Sequence, residues 1–198
     1  MSNEAPTTTT SVTVADPAPL GLAGFALTTL LLSFGNANII TEAGGAAFIL
    51  GAAAFYGGLA QLLAGMWEFK RGNTFGATAF SSFGAFWLSY WYIANHLTGS
   101  DIHQAAGLFD IAWCVFTAYM TVAALRTSAA TLAVFALLTL TFLFLGLGAL
   151  QNGAPAPDTL TRIGGVLGIV TAVAAFYASA AIVINATHKR DLLPTLPR

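Results

Sequence analysis

Charge is so sparse in this chain that the few charged side chains partition everything else. There are seven Lys and Arg and eight Asp and Glu in 198 residues. Between them lie uncharged runs at 17–41, 43–67, 72–100, 127–157 and 163–188. A helix needs about 20 apolar residues to cross about 30 Å of hydrocarbon, and each run is long enough for one crossing. A sixth stretch, from Ile102 to Leu125, is interrupted by Asp110. The spacing predicts an all-α integral membrane protein, a bundle of six transmembrane helices near 20–36, 44–67, 74–95, 105–125, 129–150 and 161–186. The runs are continuous and not alternating, which argues against a β-barrel.

Composition closes off the other classes. Hydrophobic residues are 57% and charged residues 8%, against about 25% charged in soluble domains, and the mean hydropathy is +0.75. A net charge of −1 offers no basic surface for nucleic acid. A single cysteine, Cys114, gives neither an internal disulfide nor a zinc site. The Thr-rich segment 1–15 predicts a disordered tail, 16–188 the membrane domain, and 189–198 a short C-terminal tail. Six of the seven Lys and Arg fall on one side of the predicted helices and only Arg162 on the other, so both termini are expected in the cytoplasm of a multi-pass plasma (inner) membrane protein.

Weakly polar side chains recur with helical period. Gly21, Phe25, Thr28, Leu32 and Asn36 share a face of the first helix, and Gly57, Gln61, Ala64 and Glu68 share one on the second. Thr74, Thr78, Ser81, Ala85 and Ser89 form a stripe on the third, and Thr131, Val134, Leu138, Thr141 and Leu145 on the fifth. A single Thr can satisfy its own helix backbone, but several such faces together predict a narrow, partly hydrated path. Gln61 is the most telling, because a mid-span amide needs a polar partner or water. Small-residue spacings such as Gly164-x-x-x-Gly168 predict tight helix packing.

Enzyme chemistry is missing. His96, His103 and His188 lie at helix ends away from carboxylates, no charge is expected at mid-depth, and no metal, phosphate or nucleophile motif is present. No enzyme, metal or cofactor is predicted. Between the second and third helices, Gly72 predicts a helix stop and Asn73 or Thr74 the next N-cap. The first helix opens Asp16-Pro17-Ala18-Pro19-Leu20-Gly21-Leu22, with proline in the first turn and Asp16 as N-cap. Its N-terminal N–H groups favour an anion at that end.

These last residues carry a resemblance. Pro17-Ala18-Pro19-Leu20-Gly21-Leu22 resembles the NPAPLGL signature of the acetate uptake transporter family, also called the YaaH-like or succinate-acetate permease family. Phe55-Tyr56-Gly57-Gly58-Leu59-Ala60-Gln61, Ala64 to Glu68, Gly72-Asn73-Thr74-Phe75-Gly76 and Phe80 to Trp87 are similar to that family's second and third helices. The resemblance covers about residues 16–195 and implies a six-helix protomer, a homohexameric ring in the bilayer, and one path per protomer for acetate or succinate. It also implies a constriction of two aromatics and a leucine, which fall on Phe25, Phe83 and Leu138. Candidate lining or substrate-binding residues along such a path are Pro17, Gly21, Leu22, Thr28, Tyr56, Gln61, Asn73, Thr74 and Ala175.

The sequence departs from the family in two places: Asp16 stands where the signature has Asn, and Phe83 where tyrosine is common. A carboxylate at the mouth repels an anion unless it is protonated or turned away. Phe83 also lies opposite the Thr74–Ser89 stripe, so the two cannot line one path on a straight helix. Only Glu68 and Asp16 are candidates for a proton-linked group, and the competing reading of Glu68 is an interfacial partner of Lys70 or Arg71. With no buried Lys or Arg to meet an anion, hydroxyls, amides and helix termini must replace its water. The same lining suits a channel for a neutral amide or ammonia, and a non-transporting membrane scaffold is the third alternative.

Overall fold

The computed structural model describes residues 14–42, 44–96, 102–151 and 157–195. Most of the expected N-terminal tail, and most of the 151–157 loop, lie outside these. The described chain folds into six helices, here α1 (Ala18–Asn36), α2 (Gly45–Arg71), α3 (Thr74–His96), α4 (His103–Ala124), α5 (Ala129–Leu150) and α6 (Thr159–His188). Their ends lie within two residues of the spans the charges predict, except that α2 runs on to Arg71. Five of the six are long and apolar enough to cross a membrane. The other, α3, is equally long at 23 residues but rich in Thr, Ser and aromatic side chains. The chain is a multi-pass membrane protein.

The helix ends follow from local chemistry. Gly72 adopts φ 74°, a left-handed stop that only glycine takes without cost. Asn73 then caps α3, its Oδ1 accepting from Gly76 N–H at 3.1 Å. Ser128 and Asp158 cap α5 and α6 by accepting from Thr131 and Thr161 N–H. At α1 the N-cap position is Pro17, one residue after the expected Asp16, whose Oδ1 accepts from Ala18 N–H at 2.9 Å.

Helix α1 packs along α6 and along α2, α4 packs along α5, and α5 along α6. In contrast, α3 and α4 barely approach each other, and aromatic rings span the gap: Phe83 reaches Trp113 and Phe116, and Phe86 stacks on Phe109 at 5.7 Å. Glycine permits close approach: a Cβ on Gly24 of α1 would lie 2.6 Å from the Tyr56 carbonyl oxygen of α2.

Residues 53–60 of α2 form a π-helical stretch. Ala53, Gly57 and Gln61 are all buried, with Ala64 and Glu68 continuing below. The face predicted for the second helix is therefore an inward one. On α3 the opposite holds for the hydroxyl stripe. Thr74, Ala85 and Ser89 are exposed while Phe80, Phe83, Phe86 and Trp87 are buried, and Ser81, midway along the stripe, packs its buried hydroxyl against Gly65 of α2, so the stripe lines neither cavity. The C-terminal tail folds back on α6: Asn185 accepts from the N–H groups of Leu192 and Leu193, and Tyr177 OH donates to the Pro194 carbonyl at 2.6 Å.

Candidate functional site

Two cavities lie on either side of a shared set of residues inside the bundle. The distal one, away from the termini, has a volume of about 210 Å³ and is lined from α1 by Thr29, Leu32, Ser33 and Asn36. Helix α3 adds Phe86, Trp87 and Tyr90, α4 adds Asp110, α5 adds Thr141, Phe142 and Leu145, and α6 adds Thr161. The proximal one is a slit of about 20 Å³ among Leu22, Gln61, Ala79, Phe80, Val134 and Phe135. Phe25, Phe83 and Leu138 line both. They are 4%, 2% and 3% exposed, and the Phe25 and Phe83 rings are 5.7 Å apart. Three apolar side chains from three helices thus form the wall between the two spaces.

The polar groups differ between the two. In the distal chamber the Thr29 hydroxyl and the Trp87 indole N–H are buried without a partner in the protein. Unpartnered buried donors are rare because each costs about 1–3 kcal/mol, and both of these belong to residues that line the cavity. Thr141 donates to the Leu137 carbonyl at 2.9 Å and meets the Thr171 hydroxyl at 3.4 Å. In the proximal slit the only amide is Gln61, 1% exposed, and its Oε1 has no partner.

The other predicted lining residues fall elsewhere. Thr28 does not face the cavities: its hydroxyl donates to the Ala52 carbonyl at 3.3 Å and packs on Gly57, sealing α1 to α2. Thr29, one residue and about 100° away, takes the expected place. Gly21 gives room to the Phe80 ring, and Pro17 is buried at the head of α1. Tyr56 borders an open cleft between α1 and α6 with Asp16 and Ser179. Ala175 is fully buried in the core, and Asn73 and Thr74 are exposed at the α2–α3 turn.

The charged candidates are also rearranged. Asp16 pairs with Arg71, so its carboxylate is offset and turned to the α2 terminus. Glu68 takes neither Lys70 nor Arg71: it is fully buried, with Oε2 accepting from Asn73 Nδ2 at 2.9 Å. Neither carboxylate lines a chamber. The expectation of no charge at depth is corrected by Asp110, which lines the distal chamber two turns into α4. Trp87 and Tyr90 were legible as one face with Phe83, at intervals of four and three residues. Nothing in the sequence says which way Asp110 points.

Comparisons with known proteins bear on the family and the overall fold. The profile of the GPR1/FUN34/yaaH family matches residues 2–197. The chain is 39% identical over 198 aligned positions to acetate permease A of Emericella nidulans, covering 91% of this chain and 65% of that protein. It is 37% identical over 185 to the succinate-acetate/proton symporter SatP of Escherichia coli, covering 91% and 95%. A solved structure of the bacterial acetate channel SatP superposes with a TM-score of 0.83 at 36% identity, covering 92% of this chain and 99% of that one. The chain spans 56–65% of the length of four fungal relatives that it matches.

Proposed function

We propose that this chain, which belongs to the GPR1/FUN34/yaaH family, passes small monocarboxylates, acetate first among them, through the two chambers, with Phe25, Phe83 and Leu138 as the gate. The observation that carries this is the shared wall: the three residues border both cavities, one toward each end of the bundle. The names of the two relatives and of the superposed structure supply the solute class.

The chemistry fits a weakly bound anion. No Lys or Arg lines either chamber. A carboxylate in the distal chamber would instead accept from Thr29 O–H and Trp87 N–H, replacing water with neutral donors. Weak binding of this kind lets a solute leave as readily as it enters. Beyond the gate it meets aromatic walls and the Gln61 amide, so water must be stripped there. The slit is too small for hydrated passage, and movement of the gate rings by a rotamer change would open it.

The protomer sits in the plasma membrane as one of six in a ring, with both termini in the cytoplasm. The Lys and Arg split supports the orientation. The outward faces support neighbours or lipid: Phe48, Phe55, Trp67 and Val122 are all more than half exposed. Glu68 and Asp16 stay outside the path, so neither is assigned a proton-carrying role here.

The test is uptake of labelled acetate into proteoliposomes, with and without a pH gradient, with lactate, succinate, urea and methylammonium as competitors. Protein-dependent uptake inhibited by lactate or succinate is expected. Inhibition by urea or methylammonium alone would replace the carboxylate reading with the neutral-solute one. Native mass measurement in mild detergent checks the hexamer, and protease protection of terminal tags in intact cells checks the orientation.

A further inference from the structure

We propose that Asp110 sets the charge form in which a carboxylate occupies the distal chamber. The ionised side chain excludes the anion, and the chamber fills when one proton is held between the two carboxyl groups. The inference rests on the reading that these chambers carry a small carboxylate.

Asp110 lies seven residues after the first residue of α4, about 10 Å along the helix axis. It lines the same 210 Å³ cavity as the three gate residues. It also borders an apolar recess between α3 and α4, where Tyr90 is again its neighbour. The pair therefore stands in the partition between the path and the side of the bundle.

No cation among the described residues lines its chamber. Facing this chamber, α3 contributes Tyr90, α1 only the Asn36 amide, α5 no titratable group, and α6 the Thr161 hydroxyl. The charges beside Thr161 are engaged elsewhere: Asp158 accepts from Thr161 N–H and O–H, and exposed Arg162 donates to the Pro157 carbonyl. His103 and His96, at the ends of α4 and α3, are exposed and line no part of the cavity. The one ion pair among the described residues joins Arg71 and Asp16 at the other end of the bundle.

A chamber of this size holds any solute within a few ångströms of its walls. Two bare carboxylates at that range repel strongly enough to lower occupancy by at least about tenfold. A shared proton turns the same contact into a charge-assisted O–H···O⁻ hydrogen bond, among the shortest and strongest kind. Asp110 thus acts as a specificity-determining residue for protonation state.

The experiment uses the full chain in proteoliposomes at equal pH on both sides. Acetate anion concentration is held constant, and flux through protein-free liposomes is subtracted. Wild-type flux is expected to rise as pH falls. Asp110→Asn should lose that slope and exceed wild type by about tenfold at the alkaline end, while Asp110→Glu keeps the slope. Asp110→Ser serves the same comparison should the Asn variant not fold. A neutral variant that retains the wild-type slope overturns the proposal while leaving the carboxylate reading intact. Loss of methylammonium flux in Asp110→Asn with acetate flux unchanged overturns it too, making Asp110 a cation site. Wild type with no protein-dependent acetate flux at any pH overturns the carboxylate reading itself.

Discussion

The two chambers share three helices, α1, α3 and α5, and behave as opposites. On the distal side α1 presents Thr29, Ser33 and Asn36, one face of the helix in steps of four and three. On the proximal side the same helix presents Leu22, and α3 presents Ala79 and Phe80. The distal space is roomy and carries two unpartnered donors, whereas the proximal one is a slit with a single amide. Hydration can therefore persist up to the gate from one side only. On the proposed reading, the closed part of the path is Phe25, Phe83 and Leu138 together with the slit behind them, and the resistance to a solute is concentrated there.

The most forceful way to break the contrast is Phe25→Ala. Phe83 touches the rings of Phe25, Trp113, Phe116 and Phe135, so its truncation mixes gating with a core loss of about 3–5 kcal/mol. Phe25 meets only Phe83 among those rings, and its removal joins the two spaces. Acetate flux should rise on the order of tenfold and succinate should begin to pass. Unchanged selectivity with a lowered melting temperature would make Phe25 ordinary packing.

Gln61→Leu sharpens the contrast from the other side. It removes the only amide from the slit, and flux should fall several-fold. Stability should rise by about 1 kcal/mol because the unpartnered Oε1 disappears. Opposite signs in flux and melting temperature are the signature; a fall in both would mean that Gln61 holds the helices together.

A smaller effect separates two adjacent threonines. Thr29→Val keeps the shape and removes a hydroxyl from the distal chamber, so the apparent KM for acetate should rise about two- to threefold. Thr28→Val should cost about 1 kcal/mol of stability through its lost bond to Ala52 and leave the KM alone. The reverse pattern would exchange the roles of the two residues. Smallest of all is Asp16→Asn. Paired to Arg71 and partly exposed, Asp16 is electrostatically muted, and Asn caps equally well. Flux should change by less than twofold across the pH range; a large rise at neutral pH would place Asp16 in the path.

What the sequence disclosed divides along physical lines. The six helices were legible because a charge inside hydrocarbon is costly, so charges bound the spans. That Phe25, Phe83 and Leu138 come together was legible only through the resemblance, since nothing in their spacing says that they line a common space. On α1 the expected face holds at Phe25, Leu32 and Asn36 and slips by one residue at Thr28, because Thr28 and Thr29 are identical in kind and differ only in direction. The Lys70 or Arg71 partner read for Glu68 follows only from nearness in sequence; the left-handed turn at Gly72 brings Asn73 back onto it instead. The partner of Arg71 is 55 positions away at Asp16, a distance from which no local pattern is visible. Asp110 registered as an interruption of the fourth span, but its facing depends on the gap between α3 and α4, which only the fold reveals.

The widened stretch of α2 at residues 53–60 makes chain length, as much as residue identity, an inherited property of the path. Each residue of an ordinary helix turns the chain by about 100°. Loss of one codon from this stretch would let it tighten to ordinary pitch and swing Gln61 and Glu68 toward other neighbours, although every side chain survives. The same loss in an exposed turn would be silent. When relatives are aligned, a gap placed inside this helix therefore reports a rewired interior, and a substitution beside it reports far less.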